Sequence, residues 1–257
     1  MYTYLEVFEE NRAVCINISR RERLNSLGVA IGKELLSCLT DIKNRTDGYL
    51  SRTDTVAAPR MVILSATPEK SIWIAGGDLK ELSQLNAIEV HEYIMLWSEI
   101  CLLLRNLPIP TIAIVTGACL GGGAELAMSC DLRLMTEDAY FSFKQVQIGL
   151  SLGYGTTALM TRLLGEARAR SILLQGKTIS SKEAEVLGLV EKISTKDTLE
   201  RDRHDLMQHV LSLSPYGIAT QKKNFDLLPH ESEPLHFLSN WGNPDHRKFL
   251  NDFKNKP

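Results

Sequence analysis

The chemistry most available to this chain sits at Gly121-Gly122-Gly123-Ala124-Glu125, a glycine run that opens a short apolar helix and carries one acid. Glycine lets backbone approach a ligand closely, and the first N–H groups of a helix have no partner within it. A second segment, Ala75-Gly76-Gly77-Asp78, has the same form. Two such turns facing one another would aim two N–H donors at one oxygen, the geometry that stabilises an oxyanion as its charge develops. Helix capping and close strand–helix packing explain the same glycines, and both readings stay open at this level. Glu125 also has two. It stands where a carboxylate interacts favourably with a helix N-terminus, worth ~0.3–1 kcal/mol if exposed. It also stands where an acid or base beside an oxyanion hole would serve an enolate, which needs charge stabilised at oxygen and protons moved at carbon.

Other chemistries find less support. Gly117-Ala118-Cys119-Leu120-Gly121-Gly122 lacks the Gly-Lys-Ser/Thr end of a phosphate-binding loop, and no GxGxxG follows the first strand. Gly149-Leu150-Ser151-Leu152-Gly153 matches the GxSxG elbow of serine hydrolases, with Asp226 and His230 following in the required order. No clear strand runs directly into it, so Ser151 is retained as an alternative nucleophile only. The cysteines (Cys15, Cys38, Cys101, Cys119, Cys130) form no CxxC pair. They suit reduced, buried thiols in a cytoplasmic protein, with a reactive thiol as the other reading. The histidines include no HxxxH or HExxH, and no metal site is expected. A net charge of −2 gives no general attraction to nucleic acid or anionic membranes. No window reaches the ~18 apolar residues of a membrane span, and the first residues lack the basic-then-apolar form of a secretion signal.

The elements that must position these groups are legible in outline. Alternation over residues 4–8 and 13–18 predicts a hairpin turning at 9–12. Ile31, Leu35, Leu36 and Leu39 predict a helix over 28–43, and residues 44–59 read as a polar loop. Met61-Val62-Ile63-Leu64 and Thr111-Ile112-Ala113-Ile114-Val115 are continuous enough to be buried strands. Asp78 is placed as an N-cap, with Glu81 completing a capping box. A longer helix is predicted over 88–105, a short one over 124–129, strands over 132–135 and 140–143, and a mainly helical remainder from Thr156. The pattern repeats coarsely: strand, glycine turn, helix N-terminus, twice.

At this point the residues resemble a known family. Ile74-Ala75-Gly76-Gly77-Asp78-Leu79-Lys80-Glu81 is similar to the A-G-x-D-[LI] segment of crotonases, the enoyl-CoA hydratase/isomerase superfamily. Residues 110–131, with Gly121-Gly122-Gly123-Ala124-Glu125-Leu126-Ala127-Met128-Ser129-Cys130-Asp131, look like its second signature. The resemblance runs from Asn25 to Val190. It implies an α/β fold, a spiral of ββα turns (residues 1–195, holding an acyl-CoA site) with a helical C-terminal trimerisation region (residues 196–257). It also implies homotrimers or homohexamers, and a CoA thioester as substrate with no separate cofactor. By matched position the oxyanion donors would be the N–H groups of Ala75 and Gly122; the Ala75–Asp78 segment, with Gly76, Gly77 and Asp78, would lie against the adenine end, and Gly121 would also bind the substrate. Arg20, Arg21 and Arg23 become candidates for the CoA phosphates, or are simply solvated. Tyr154 and Trp97 would line an acyl pocket, or pack the core.

One departure matters for the chemistry. Hydratases of the family carry two glutamates around the added water, and the second position here is Gln145. An amide has no exchangeable acid proton near neutral pH, and acid–base assistance contributes roughly 10²–10⁴-fold. The expectation is therefore one-glutamate chemistry, double-bond isomerisation or decarboxylation of a malonyl-type thioester. The alternatives are hydration, non-catalytic binding of a CoA ester, and the Ser151 hydrolase. Gly122–Glu125, Cys130–Thr136 and Trp241-Gly242-Asn243-Pro244 are similar to segments of crotonase-like decarboxylases.

Overall fold

The computed structural model describes residues 2–47, 58–225 and 244–254. Strands β1 (Leu5–Glu10) and β2 (Ala13–Ile18) form an antiparallel hairpin in which Glu10 faces Ala13. The turn is only Asn11-Arg12, both at positive φ (49° and 66°). Such a two-residue turn matches the twist of its strands, so β1 runs two residues beyond the predicted end. Helix α1 (Val29–Thr46) follows, longer than predicted, and part of the expected polar loop, residues 48–57, lies outside the described residues.

The predicted repetition is real, but each unit holds two strands. The first comprises β3 (Met61–Ala66), β4 (Ile72–Ile74) and the short helix α2 (Leu79–Leu82), followed by α3 (Ala87–Asn106). The second comprises β5 (Thr111–Val115), β6 (Ala118–Leu120) and α4 (Gly122–Met128). In the third, β7 (Leu132–Thr136) and β8 (Tyr140–Ser142) lead to a 3-10 turn, Lys144–Ile148. The chain continues through α5 (Thr156–Leu164), α6 (Glu166–Leu174), β9 (Thr178–Ser180), α7 (Ser181–Val186) and β10 (Lys192–Ser194). Helices α8 (Leu199–Ser212), α9 (Pro215–Phe225) and α10 (Pro244–Lys254) complete it. The stretch after Thr156 is thus mainly helical but contributes two strands the sequence reading did not predict.

The first strand of each unit enters one sheet, ordered β1-β2-β3-β5-β7-β10 and parallel from β2 onward; the second enters another, ordered β4-β6-β8-β9. Parallel strands covered on both faces carry continuous apolar runs, and β3 shows why. Val62 and Leu64 point into the central core with Trp73, Cys119 and Phe141. Met61 and Ile63 point to the opposite face, where Met207 and Val210 of α8 cover them. Burying one such side chain contributes ~1.5–3 kcal/mol, so α8 is an integral layer of this sheet. Helix α9 is held by the Lys222 ammonium, which meets the Asp131 carboxylate and donates to the Ile109 carbonyl at 3.1 Å. Asp131 also accepts from the Thr111 amide at 2.7 Å, so the acid of the second signature serves here as a structural joint.

All five cysteines are buried and unpaired. Burial pushes Cys15 and Cys38 up to about 11 and Cys101 and Cys130 to about 12. The thiolate is the reactive form, so these groups are expected to be inert in the native protein. A thiol reagent at mildly alkaline pH should label none of the five until denaturant is added; rapid native labelling would contradict the packing.

Candidate active site

Helix α4 is buried along its whole length and starts at Gly122. Its N-cap, Gly121, has φ +50° and ψ −117°, a conformation that L side chains rarely adopt, and donates to the Ser142 carbonyl at 2.8 Å. The Gly121 carbonyl takes the Glu125 amide at 3.1 Å, which closes the first helical turn. Gly122, at the first helical position, keeps an N–H without an intrahelical acceptor.

The other turn leaves β4. Gly76 is at φ +90°, and a Cβ there would lie 2.7 Å from the Leu120 carbonyl oxygen and 3.3 Å from the Gly122 nitrogen. The two glycine turns therefore meet in direct contact. Their two predicted donors are not equivalent. The Ala75 N–H already donates to the Leu24 carbonyl at 3.1 Å. That carbonyl is fixed by a strained turn, with Leu24 and Asn25 both at positive φ (53° and 54°). Asn25 locks it from within, donating to Thr67 O at 2.8 Å and Trp73 O at 2.9 Å while accepting from the Arg20 amide at 2.8 Å. Ala75 can serve a ligand only by exchanging its bond to Leu24.

Asp78 caps α2 by accepting from the Glu81 amide at 3.2 Å. The reciprocal half of the predicted capping box is absent: Glu81 reaches across instead to accept from the Val29 amide at 3.1 Å, capping α1. Asp78 also pairs with Arg20 at 3.0 Å. Burial works to raise its carboxyl, but the Glu81 amide and the charges of Arg20 and Arg23 outweigh this and hold it lowered. Arg20 further donates to the Ser26 carbonyl at 3.0 Å and lies 5.4 Å over the Tyr4 ring. Arg20 thus makes its bonds within the fold, although its Nε has no hydrogen-bond partner among the described residues. Arg21 and Arg23 are exposed on the 3-10 turn Arg21–Arg23, with Arg23 near enough to influence Asp78.

Glu125 is 2 % exposed. Its Oε2 accepts from the Tyr154 amide at 2.9 Å, and its Oε1 from the Gly153 amide at 3.3 Å and Gln145 Nε2 at 3.0 Å. Burial raises its carboxyl above the usual range, and the Tyr154 and Gly153 amides oppose that rise without cancelling it. The sequence pair Glu125–Gln145 is thus assembled, 20 residues apart in the chain. A carboxylate only accepts, so Gln145 must turn its NH₂ toward it, which leaves Gln145 Oε1 buried and without a partner.

Tyr154 packs its ring on Gly122 and bonds its hydroxyl to that of Tyr93 at 3.0 Å; Trp97 stacks on it with ring centroids 6.1 Å apart. Ser151 is exposed and follows a 3-10 turn, not a strand-to-helix elbow, while Asp226 and His230 lie outside the described residues. Three participants escaped the sequence reading: Gly153 and Leu24, which act through backbone atoms, and Tyr93. Tyr93 shares the buried face of α3 with Trp97, Ile100 and Leu104, and a phenol there requires a polar partner.

A ββα spiral carrying two apposed glycine turns beside one buried glutamate defines an acyl-CoA enzyme of the crotonase superfamily. The model of the family described as Enoyl-CoA hydratase/isomerase matches residues 9–234, and the chain belongs to that family. It is similar to the short-chain-enoyl-CoA hydratase of Clostridium acetobutylicum, 31% identical over 215 residues that cover 84% of this chain and 78% of that protein. A crotonyl-CoA hydratase of Syntrophomonas wolfei is 27% identical over 221 residues, covering 86% and 80%. Among solved structures, an enoyl-CoA hydratase from Bacillus anthracis superposes with a TM-score of 0.87 at 27% identity, covering 98% of this chain and 96% of that one. No helix among the described residues is long and apolar enough to cross a membrane.

Proposed function

We propose that the chain carries out one-glutamate enolate chemistry on a CoA thioester, with double-bond isomerisation as its principal reaction. The Glu125–Gln145 contact carries this reading: one group in the site exchanges protons and its neighbour only hydrogen-bonds. The Gly122 N–H polarises the thioester carbonyl, joined by Ala75 once the ester displaces the Leu24 carbonyl. Glu125 removes a proton from the α-carbon of a 3-enoyl thioester and returns it to the γ-carbon. The double bond moves into conjugation, and no proton is gained or lost overall. Decarboxylation also needs a single acid. It is less favoured because the donors around Glu125 are already bonded to it and the one unpartnered group beside it, the buried Gln145 Oε1, is an acceptor, so a substrate carboxylate would find no counterpart there. Hydration is the second reading, supported by what the relatives are called and by that same free Gln145 oxygen, which would hold a water. The reading calls for no cofactor beyond the CoA of the substrate. It assigns Arg23 and Asp78 to the CoA end and expects a homotrimer or homohexamer, which sedimentation would test.

The deciding experiment presents a 3-enoyl-CoA, crotonyl-CoA, methylmalonyl-CoA and ethylmalonyl-CoA to the enzyme and follows products by mass spectrometry and chromatography. Isomerisation without mass change should dominate, and Gln145→Glu should raise water addition to crotonyl-CoA by about 10²-fold or more. Water addition by the native enzyme as fast as isomerisation would favour the hydratase reading, and loss of CO₂ a decarboxylase. Binding of the esters without turnover would leave a CoA-ester binding protein.

A further inference from the structure

From the packing behind the glycine turns we infer that Tyr154 is a specificity-determining residue that limits the substrate to short acyl thioesters. The inference rests on the thioester reading above and adds the substrate class. One phenol packs against each turn. A Cβ at Gly122 would lie 2.9 Å from Tyr154 Cε2 and 3.0 Å from its hydroxyl, and one at Gly77 would lie 3.0 Å from the Tyr93 hydroxyl. Tyr93 donates to the Leu27 carbonyl at 2.9 Å, and the two hydroxyls are 3.0 Å apart. A carbonyl only accepts, so the Tyr93 proton is spent on Leu27 and Tyr154 must donate to Tyr93. Tyr154 then has no proton left for a thioester oxygen. Its contribution at this point is the bulk of its ring.

Tyr154 is held through both its main chain and its ring. Its main-chain N–H bonds Glu125 Oε2 at 2.9 Å, its hydroxyl is tied through Tyr93, and Trp97 stacks behind it with an interplanar angle of 25°. Tyr93, Trp97 and Tyr154 are each no more than 4 % exposed. Close-packed interiors resist deformation, so moving the ring means breaking its hydroxyl bond to Tyr93 and unstacking it from Trp97. The ring covers Gly122, one helical turn before Glu125, and so stands across the path of an acyl group whose α-carbon meets Glu125. Each methylene that does not fit a closed apolar pocket costs about 10–200-fold in discrimination.

The test uses the full chain, with kcat/KM measured for matched short, medium and long 3-enoyl-CoA esters. Binding of butyryl-, hexanoyl- and decanoyl-CoA is followed by calorimetry. The native enzyme should favour the shortest ester, losing about tenfold or more at each step. Tyr154→Ala should flatten that preference, with Tyr154→Leu as the second cavity variant should alanine fail to fold. Tyr154→Phe, which keeps the ring, should retain the preference. Equal use or binding of the longest ester by the native enzyme would overturn the inference. So would an unchanged preference in both cavity variants, or its loss in Tyr154→Phe. Absence of turnover with every ester counts against the proposed reaction alone. The calorimetric series then decides the inference, and equal binding of all lengths, or of none, overturns it.

Discussion

Gly122→Pro is expected to turn over substrate about 10²–10³-fold more slowly than Gly122→Ala, with both variants folded. The comparison with alanine removes the shared Cβ strain and leaves the lost N–H, with the ring Cδ in its hydrogen's place, as the difference. Any Cβ at this position presses on the Tyr154 ring, at 2.9 Å from Cε2, so both variants share that strain and some loss of activity. Proline is well suited to the first position of a helix, where its fixed φ fits and its missing N–H removes no intrahelical bond. What proline lacks and alanine keeps is one donor aimed into the site. A donor that acts on developing charge should lower kcat and kcat/KM together, while binding of an unreactive ester stays close to that of Gly122→Ala. The expected loss is large because the second donor is encumbered: the Ala75 N–H must first give up Leu24, so Gly122 carries the larger share. Equal turnover in the two variants would remove Gly122 from the oxyanion role.

The features legible in the sequence were those set by local pattern. Continuous apolar runs gave β3 and β5, helical spacing gave α1 and α3, and the repeated glycine turns pointed to a paired site. The four strands the sequence reading passed over, β4, β6, β9 and β10, are each three residues long. So short a strand carries no period, and β4, β6 and β10 are fixed by parallel partners distant in sequence. Arg20 shows a second limit. An arginine between charged neighbours reads as solvated, yet a carboxylate 58 residues on draws it into the fold at 3.0 Å. Glu81 shows a third: spacing matched a capping box, but α1 presented an uncapped N-terminus whose N-cap, Gly28, has no side chain to offer. The pairing of Glu125 with Gln145 was readable only through the family resemblance. The Gly153 and Tyr154 amides that complete it are backbone groups, which residue type does not reveal.

Glu125→Gln is expected to lower turnover by about 10²–10⁴-fold while leaving the fold intact and ester binding nearly unchanged. The substitution is less disruptive than its burial suggests. A glutamine oxygen at position 125 can keep the Tyr154 amide, its NH₂ then facing Gln145, which can turn its own amide to present the oxygen that now lacks a partner. Only the longer contact to Gly153, at 3.3 Å, is given up. The pH behaviour separates catalysis from packing. Because burial raises the Glu125 carboxyl, the native state holds its proton to higher pH than the unfolded chain does. The stability this lends is complete below the unfolded pKa and is lost as pH rises through the folded value. Replacement by an uncharged amide removes that loss, so the variant should gain thermal stability relative to the native protein as pH moves from acid to neutral. Activity runs the other way. A base must be ionised to accept the α-proton, so native turnover should fall on acidification through a limb lying above the usual carboxylate range, and Glu125→Gln should lack that limb. A variant that kept native turnover, or a limb at the position of an ordinary exposed carboxylate, would mean that Glu125 serves the helix and not the reaction.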